Sequence, residues 1–396
     1  MIATVRDVAR GGFGVVPGEN GPVMIPRVLT GESVRYHITG HRHGVDWGEA
    51  DEILSPSPYR VTPPCPHYDD CGGCNLQHTT ADHQIEIKSG ILFANLRRIA
   101  GIEAPPSFHI TASPSWGYRT RMALQIRNGQ PGFFSSGSHR IVPIDSCPLM
   151  PGNMRKCLRE LIGHPRIAAI ASGRMIMLSN GQEVSVDLAA GEEWTHLEGP
   201  EEIGFSLSYG RFTVTPRNFI QANRFTMAAM QDFARPREAC PETGLDLYAG
   251  AGFLTLPMAR ACKGGGWAVE SEHYNLELLR RNLADNGLNR IRVLKRNISA
   301  KQLPRADFII ADPPRGGMSA QALDAIALTA PREFVLFSCD SATFSRDLAR
   351  LIQRGFSPLE MELVDNFPQS DHMEIAIRLK GPRKRRLSDG GNRENN

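Results

Sequence analysis

The spacing of apolar residues divides the chain into three regions with different predicted structure. Over residues 1–56, short alternating stretches are separated by glycines and prolines, which predicts short β-strands and a small β-barrel. Alternation returns between about residues 112 and 215. Beyond about residue 219, apolar runs of strand length alternate with stretches of helical periodicity, which is typical of a parallel sheet covered by helices.

Individual elements can be placed within these regions. Asn128-Gly129 follows an alternating stretch and predicts a β-hairpin. Residues 83–99 carry apolar side chains at helical spacing and predict a helix. Residues 358–364 and 373–379 predict an antiparallel pair near the end of the chain. The candidate strands of the preceding parallel sheet are residues 243–247, 266–269, 291–294, 308–311 and 334–337.

These patterns predict three domains and a tail. We place the barrel at residues 1–56, a mainly β central domain at 57–218, an α/β domain at 219–380 and a disordered basic tail at 381–396. The helix near residues 83–101 can pack on the α/β domain. The tail contains the basic run 383–386, which is either a solvated end or a contact for nucleic acid.

Composition is that of an ordinary soluble globular protein. Of 396 residues, 41% are hydrophobic and 22% are charged, and the net charge of +3 is too small to demonstrate a polyanionic partner. The first residues show no secretory signal, and no window approaches the roughly 18 apolar residues of a membrane span. We therefore expect a cytoplasmic protein without a membrane partner, and a monomer.

The eight cysteines are then expected to be reduced thiols or metal ligands. Cys65, Cys71 and Cys74 lie close together in the sequence, and Cys147 is a plausible distant fourth ligand. Zinc and iron–sulfur clusters both accept four thiolates, so the spacing predicts a metal centre without choosing between them. Free thiols are expected at Cys157, Cys240 and Cys262.

A glycine-rich loop follows the first predicted strand of the α/β domain. Glycines at such a turn let the backbone approach a ligand closely. A dinucleotide fingerprint would place its third glycine at Thr255, which disfavours a pyrophosphate-binding NAD site. Glu270 lies twenty residues after Gly250, at the end of the next strand, where an acid can accept from both ribose hydroxyls. A nucleoside held without a diphosphate favours S-adenosylmethionine.

Candidate reacting groups follow two later strands. Cys339 comes directly after the predicted strand 334–337, and Asp312 follows the strand 308–311. Strands of this kind are neighbours in a doubly wound sheet, so both side chains should share one edge, where Glu374 joins them from the antiparallel pair. A lone cysteine after a strand is often a small core residue. A thiol, a carboxylate and a nucleotide-type loop at one edge indicate an enzyme.

Four motifs together resemble the RNA 5-methyluridine methyltransferases, over nearly the whole chain and in the order and spacing of that family. They are DLYAGAG at 246–252, DPPRGG at 312–317, FSCD at 337–340 and FPQSDHME at 367–374. The resemblance implies a Rossmann-like class I methyltransferase domain that uses S-adenosylmethionine. It also implies that the amino-terminal barrel is a TRAM domain, an OB-like fold that binds RNA.

The resemblance also implies roles for individual residues. Cys339 would be the nucleophile that adds to carbon 6 of uracil, and Glu374 the base that removes the proton from carbon 5 after methylation. The four cysteines Cys65, Cys71, Cys74 and Cys147 would hold a [4Fe–4S] cluster. The cofactor or uridine would be lined by Gln221, Tyr248, Gly250, Glu270 and Asp312, with Asn297 as a less clear match.

Two positions depart from the family pattern. Ala249 replaces a frequent cysteine of the loop, where no chemistry takes place. Asp340 replaces a frequent asparagine, and its negative charge is expected to raise the pKa of the neighbouring Cys339 thiol.

The substrate and two rival functions stay open. The implied RNA is 23S rRNA, with transfer RNA as the alternative. A cytosine-5 methyltransferase is disfavoured because Ser338, not proline, precedes Cys339 and because no second thiol lies at the 312–314 turn. A non-catalytic iron–sulfur RNA-binding protein would not need both Cys339 and Glu374. Candidate RNA contacts are residues 118–121, which include two arginines, and Phe133-Phe134.

Overall fold

The computed structural model describes residues 1–19, 21–237, 241–298 and 303–382. The basic run 383–386, nearly all of the predicted tail, and Cys240 lie outside the described residues. None of the described helices is long and apolar enough to cross a membrane.

The amino-terminal region is a curled six-stranded sheet. Its strands follow the order β1-β5-β6-β4-β3-β2, and the two edge strands are separated in the chain only by Val5 and Arg6. Val5 N donates to Glu32 O (2.9 Å) and Arg6 N donates to Val15 O (2.8 Å), so this short segment joins both edges. The strands are β1 (Ile2–Thr4), β2 (Asp7–Ala9), β3 (Phe13–Gly18), β4 (Gly21–Pro26), β5 (Ser33–Arg42) and β6 (Val45–Ser55).

A helix and a short strand follow. Helix α1 (Ala81–Asn95) continues as a π-helical turn, Leu96–Ala100, and confirms the predicted helix. Its buried side chains, among them Ile91 and Leu92, share a core with the α/β domain. Strand β7 (Ser107–Thr111) comes next and is largely exposed.

The central sheet is entirely antiparallel, in the order β10-β9-β8-β11-β12-β13. The predicted hairpin at Asn128-Gly129 is confirmed, since both residues have positive φ (49° and 75°) as such a turn requires. The elements are β8 (Arg121–Arg127), β9 (Gln130–Phe134), β10 (Ile141–Pro143), α2 (Gly152–Leu161), α3 (Pro165–Ala168), β11 (Ser172–Ser179), β12 (Val184–Ala190) and β13 (Glu193–Glu198).

The α/β domain is built on an eight-stranded sheet in the order β18-β17-β16-β19-β20-β22-β21-β7. A separate hairpin, β14 (Ile203–Leu207) and β15 (Gly210–Val214), packs on one of its faces. The remaining elements are α4 (Met227–Ala234), β16 (Gly244–Leu247), α5 (Thr255–Ala261), β17 (Gly266–Glu270), α6 (His273–Asp285), β18 (Ile291–Lys295), β19 (Phe308–Ala311), α7 (Ala320–Thr329), β20 (Glu333–Ser338), α8 (Ser341–Gln353), β21 (Ser357–Val364) and β22 (Glu374–Lys380).

Side-chain alternation along these strands produces two cores, one on each face of the sheet. One face packs on α1, α7 and α8, for example through Ile309 and Leu336. The other packs on α4, α5, α6 and the β14–β15 hairpin, for example through Ile310 and Val335. The five predicted parallel strands are confirmed, and so is the antiparallel pair that ends the domain.

The division at residue 218 differs from the structure in two respects, because β7 is part of the large sheet and the β14–β15 hairpin packs on one face of that sheet. Strand β7 belongs to the large sheet, where it pairs in parallel with β21, although we placed its residues in the central domain. A five-residue edge strand with mostly exposed side chains has little apolar alternation, so its sequence carries no sign of its partner.

A buried ion pair ties α1 to the segment between β21 and β22. Lys88 Nζ lies 2.5 Å from Asp365 Oδ1 and donates to Phe367 O (3.1 Å), and the two charged side chains are 0% and 6% exposed. Removing one partner of such a pair leaves an uncompensated buried charge.

We predict that Lys88→Met lowers the free energy of unfolding by about 3–5 kcal/mol, because Asp365 loses its counter-charge in a buried setting. Urea unfolding followed by circular dichroism measures this. The control is Lys156→Met, which removes a 75%-exposed lysine 3.8 Å from Glu160 and should cost less than about 1 kcal/mol. Equal losses in the two variants would contradict the structural role of Lys88.

Candidate active site

The edge of the large sheet brings the three candidate reacting residues together. Strands β20 and β22 are antiparallel, with Ser338 opposite Ile375, so the start of β22 lies at the end of β20. Cys339 directly follows β20, and Glu374 is the first residue of β22. Strands β19 and β20 are parallel neighbours, as predicted, so Asp312 ends at the same edge.

Burial and mutual repulsion shape the ionisation of these groups. Burial raises the pKa of Cys339 to about 11, and the charges of Glu374 and Asp312 add to this effect while Arg315 opposes it. Burial also raises the pKa of Glu374 well above its usual range, with a further contribution from Asp312. The pKa of Asp312 is raised to about 6 by burial, against a hydrogen bond from Gln221.

Glu374 is buried without a full set of hydrogen-bond partners among the described residues. The residue is 3% exposed, and its Oε1 atom has no hydrogen-bond partner within the described parts of the chain. Burying an unpartnered carboxylate is costly, and such groups are concentrated at functional sites. A carboxyl group with a raised pKa is suited to act as a general base near neutral pH.

The pKa of Cys339 is raised, as expected, but not through the charge of Asp340. The Asp340 side chain accepts a hydrogen bond from Thr343 N (2.9 Å) and so caps helix α8. It also forms an ion pair with Arg10 and lies 3.8 Å from Arg315 Nε. These contacts hold the pKa of Asp340 below its usual value, and the raised pKa of Cys339 arises from burial, Glu374 and Asp312 instead.

Gln221 links Asp312 to a buried amide. Gln221 Nε2 donates to Asp312 Oδ2 (2.9 Å), and Asn366 Nδ2 lies 3.4 Å from Gln221 Oε1. Asn366 is fixed in turn by Thr226 Oγ1, which donates to its Oδ1 (2.8 Å). Asn366 is fully buried and did not stand out in the sequence, although it directly precedes the motif at 367–374.

The glycine loop lies at the end of β16 and is tied to Glu270. Tyr248 and Gly250 both have positive φ (63° and 55°), and a Cβ added to Gly250 would meet no atom within 4 Å. The space above this peptide is therefore open to a ligand. Gly250 N donates to Glu270 Oε2 (2.8 Å), while Ser271 N and Glu272 N donate to Glu270 Oε1.

Thr255, which replaces the third glycine of a dinucleotide fingerprint, has a local partner. Its hydroxyl donates to Asp246 Oδ2 (2.5 Å), and burial raises the pKa of Asp246 to about 8. Asn297 lies beyond the end of β18 and is exposed, and among the described residues no hydrogen bond joins it to the other candidates.

The four candidate metal-binding cysteines line one cavity of about 280 Å³. Cys65, Cys71, Cys74 and Cys147 surround it together with apolar side chains and Arg119. Gly73 N lies 3.4 Å from Cys71 Sγ. Burial raises the pKa of the Cys74 thiol to about 12 and of Cys147 to about 11. Across the described ranges, no group of three or more cysteine, histidine or acidic side chains is arranged to hold a metal ion.

The candidate RNA contacts are only partly accessible. Tyr118 is fully buried, and its hydroxyl donates to Pro368 O (2.9 Å). Arg119 stacks over the rings of Tyr118 and Phe367. Phe133 packs against the central core, whereas Phe134 is 38% exposed. Of the aromatic residues proposed in this region, Phe134 is thus the one that presents a ring to solvent.

Comparison with known proteins gives consistent matches. Residues 229–332 match the family model described as methyltransferase small domain. The chain is 31% identical to the 23S rRNA (uracil(1939)-C(5))-methyltransferase RlmD of Chromohalobacter salexigens, over 99% of this chain and 91% of that protein. It is also 31% identical to the enzyme of the same name from Salmonella typhi, over 94% of each.

A solved structure shows the same fold over nearly the whole length of this chain. The tRNA (uracil-54, C5)-methyltransferase of Pyrococcus abyssi, solved with S-adenosyl-L-homocysteine, superposes with a TM-score of 0.77. The match covers 96% of this chain and 100% of that one, at 22% identity. At this identity the likeness establishes the fold.

We predict that Glu374→Gln stabilises the protein at pH 8 by about 1–3 kcal/mol, because it removes a buried carboxylate with an unpartnered oxygen. A carboxyl whose pKa is raised on folding contributes stability at low pH and loses it as the pH rises through the raised value. The gain should therefore vanish near pH 4. Thermal denaturation across this pH range measures it, and a gain that is equal at pH 4 and pH 8 would contradict the raised pKa.

Proposed function

The chain belongs to the RNA uracil-C5 methyltransferase family, and we propose that this enzyme methylates carbon 5 of one uridine in 23S rRNA through a covalent adduct with Cys339. The observation that carries the mechanism is the meeting of Cys339 and Glu374 at the ends of β20 and β22. A nucleophile and an unpartnered buried carboxylate on one edge fit a reaction that needs both.

The chemistry assigns a separate step to each group. The Cys339 thiolate adds to carbon 6 of uracil, which makes carbon 5 nucleophilic. Bound S-adenosylmethionine supplies the methyl group as a sulfonium. The Glu374 carboxylate then accepts the proton from carbon 5, and the bond between sulfur and carbon 6 breaks to release the thiolate. Arg315 supports ionisation of the thiol, because its charge opposes the rise in the pKa of Cys339.

The cofactor would lie over the glycine loop. The open space above Gly250 and the nearby Glu270 carboxylate suit a nucleoside, whose ribose hydroxyls can donate to an acid. Tyr248 belongs to the same loop, and the linked pair Gln221 and Asp312 would orient either the cofactor or the uracil edge. We include Asn297, an exposed residue beyond the end of β18, on the family resemblance alone.

We assign the cysteine cavity to a [4Fe–4S] cluster held by Cys65, Cys71, Cys74 and Cys147. All four thiols line the same cavity, although their placement in the described ranges is not that of ligands around a metal ion. Four thiolates are the usual ligands of such a cluster. Its role would be structural or RNA-contacting, because methyl transfer moves no electrons.

The other domains would bind the RNA. The curled amino-terminal sheet fits a TRAM domain, and a base in structured RNA must be flipped out to reach the half-buried Cys339. The names of the sequence relatives favour 23S rRNA, at the position equivalent to uracil 1939, over transfer RNA. We expect a monomer acting in the cytoplasm. Family membership sets aside a cytosine methyltransferase and a non-catalytic RNA-binding protein.

We predict that Glu374→Gln accumulates a covalent RNA adduct, because addition and methylation proceed while removal of the carbon 5 proton stalls. A slow band on denaturing gels, dependent on S-adenosylmethionine and 23S rRNA, detects it. Cys339→Ala, alone or combined with Glu374→Gln, should give no band and no 5-methyluridine while still binding the cofactor. Full turnover by Glu374→Gln, or a band that survives loss of Cys339, would overturn the two roles.

We predict that protein purified without oxygen is brown and contains about four irons and four sulfides per chain. Cys65→Ser or Cys147→Ser should lose iron and lower the melting temperature, since a bound cluster stabilises the native state. Cys157→Ser is the matched control, because Cys157 lies outside the cavity in the same domain. One equivalent of zinc without iron would refute the cluster.

A further inference from the structure

The turn between β2 and β3 leaves the barrel and reaches the candidate active site. It consists of Arg10, Gly11 and Gly12, and both glycines have positive φ (89° and 70°). A Cβ added to Gly12 would lie 3.0 Å from the Asn75 side chain, so the backbone approaches its neighbour closely here. This turn contacts both segments that carry the proposed reacting residues.

Its first contact is with the residue that follows the nucleophile. The Arg10 guanidinium donates to Asp340 Oδ2 across 330 positions of sequence. Asp340 is 5% exposed, whereas Arg10 is 51% exposed and lies at the barrel surface. Arg315 Nε lies 3.8 Å from the same Oδ2 atom. Two cations therefore share one carboxylate oxygen beside Cys339.

Its second contact is with the segment that precedes the base. Gly11 N donates to Asp371 Oδ2 (2.6 Å), three residues before Glu374. Asn75 Nδ2 donates both to Gly11 O (2.8 Å) and to Asp371 Oδ1 (2.7 Å), while Asn75 Oδ1 accepts from Asp371 N (2.9 Å). The turn, Asn75 and Asp371 thus form a closed network of hydrogen bonds.

We propose that the Arg10–Gly11 turn of the barrel is a positioning element for the reaction, in which Arg10 neutralises Asp340 and Gly11 fixes the segment leading to Glu374. The inference rests on the proposed roles of Cys339 and Glu374. It makes the barrel part of the catalytic assembly as well as a surface for RNA.

The shared oxygen explains how Arg10 acts on the thiol. The charged groups that face Cys339 are Glu374, Asp312 and Arg315, and Arg315 alone among these three favours the thiolate. With Arg10 on Asp340, the Arg315 charge stays available to Cys339. Without Arg10, Asp340 is left unneutralised and draws Arg315 onto itself, which disfavours the thiolate.

The test measures thiol reactivity directly, so it does not depend on the identity of the RNA. Cys339 in the holoprotein is alkylated with iodoacetamide between pH 6 and pH 10, and the modified peptide is quantified by mass spectrometry. Arg10→Met should slow alkylation at neutral pH roughly tenfold, the effect of one unit of higher thiol pKa. Arg10→Lys keeps the charge and should slow it less.

A second substitution that restores the alkylation rate separates a positioning role of Arg10 from a general loss of structure. Asp340→Asn retains the helix cap, since asparagine and aspartate cap equally well, and removes the charge that Arg10 neutralises. Combined with Arg10→Met it should restore most of the alkylation rate. The control is Arg6→Met, which changes an exposed barrel arginine that forms no ion pair in the ranges the structure describes. It should react at the wild-type rate.

Two further assays measure 23S rRNA binding and methylation by the Arg10→Met variant. Arg10→Met should lower the single-turnover rate of 5-methyluridine formation by a similar factor while its affinity for 23S rRNA is unchanged. Wild-type alkylation by Arg10→Met, or slow alkylation that Asp340→Asn fails to rescue, would overturn the inference. A wild-type protein that makes no 5-methyluridine would refute the proposed function, and the alkylation rates would still decide the role of Arg10.

Discussion

The antiparallel pairing of β22 with β20 is the constraint on which the site depends. In this otherwise parallel sheet, each strand except β22 begins at the edge opposite the ligands. Reversal of one strand brings its first residue, Glu374, to the edge where Cys339 follows β20. A shift of this register by one residue would also turn Glu374 to the other face of the sheet. The separation of thiol and carboxylate is therefore set by backbone hydrogen bonds of the core.

This arrangement places two acidic side chains close together beside Cys339, where burial raises their pKa values. Asp312 raises the pKa of Glu374, and both carboxylates raise the pKa of Cys339. A core selected for stability would not bury carboxylates in this way. Their persistence is understandable if the same groups must accept a proton and position a ligand, and the surrounding ion pairs offset the cost.

Neighbouring domains hold the segment between β21 and β22 in place. Lys88 and Gln84 of α1 bond to Asp365 and Gln369, and Asn75 and the barrel turn bond to Asp371. Val8 and Leu29 of the barrel even belong to the core on one face of the large sheet. The barrel, the α1 region and the large sheet thus meet at the loop that precedes the proposed base.

The sequence by itself determined the strands of the parallel sheet and the edge at which the candidate residues lie. Apolar runs of strand length predicted β16 to β20 within one or two residues, and strand adjacency predicted that Asp312 and Cys339 share an edge. Such features are local or follow from the order of strands, so they can be predicted from the sequence. The tertiary structure decided the rest: that β7 joins the large sheet, that Asp340 is neutralised by Arg10, and that Asn366 supports Gln221. These contacts join residues up to 330 positions apart through single polar atoms, and no periodicity in the sequence encodes them.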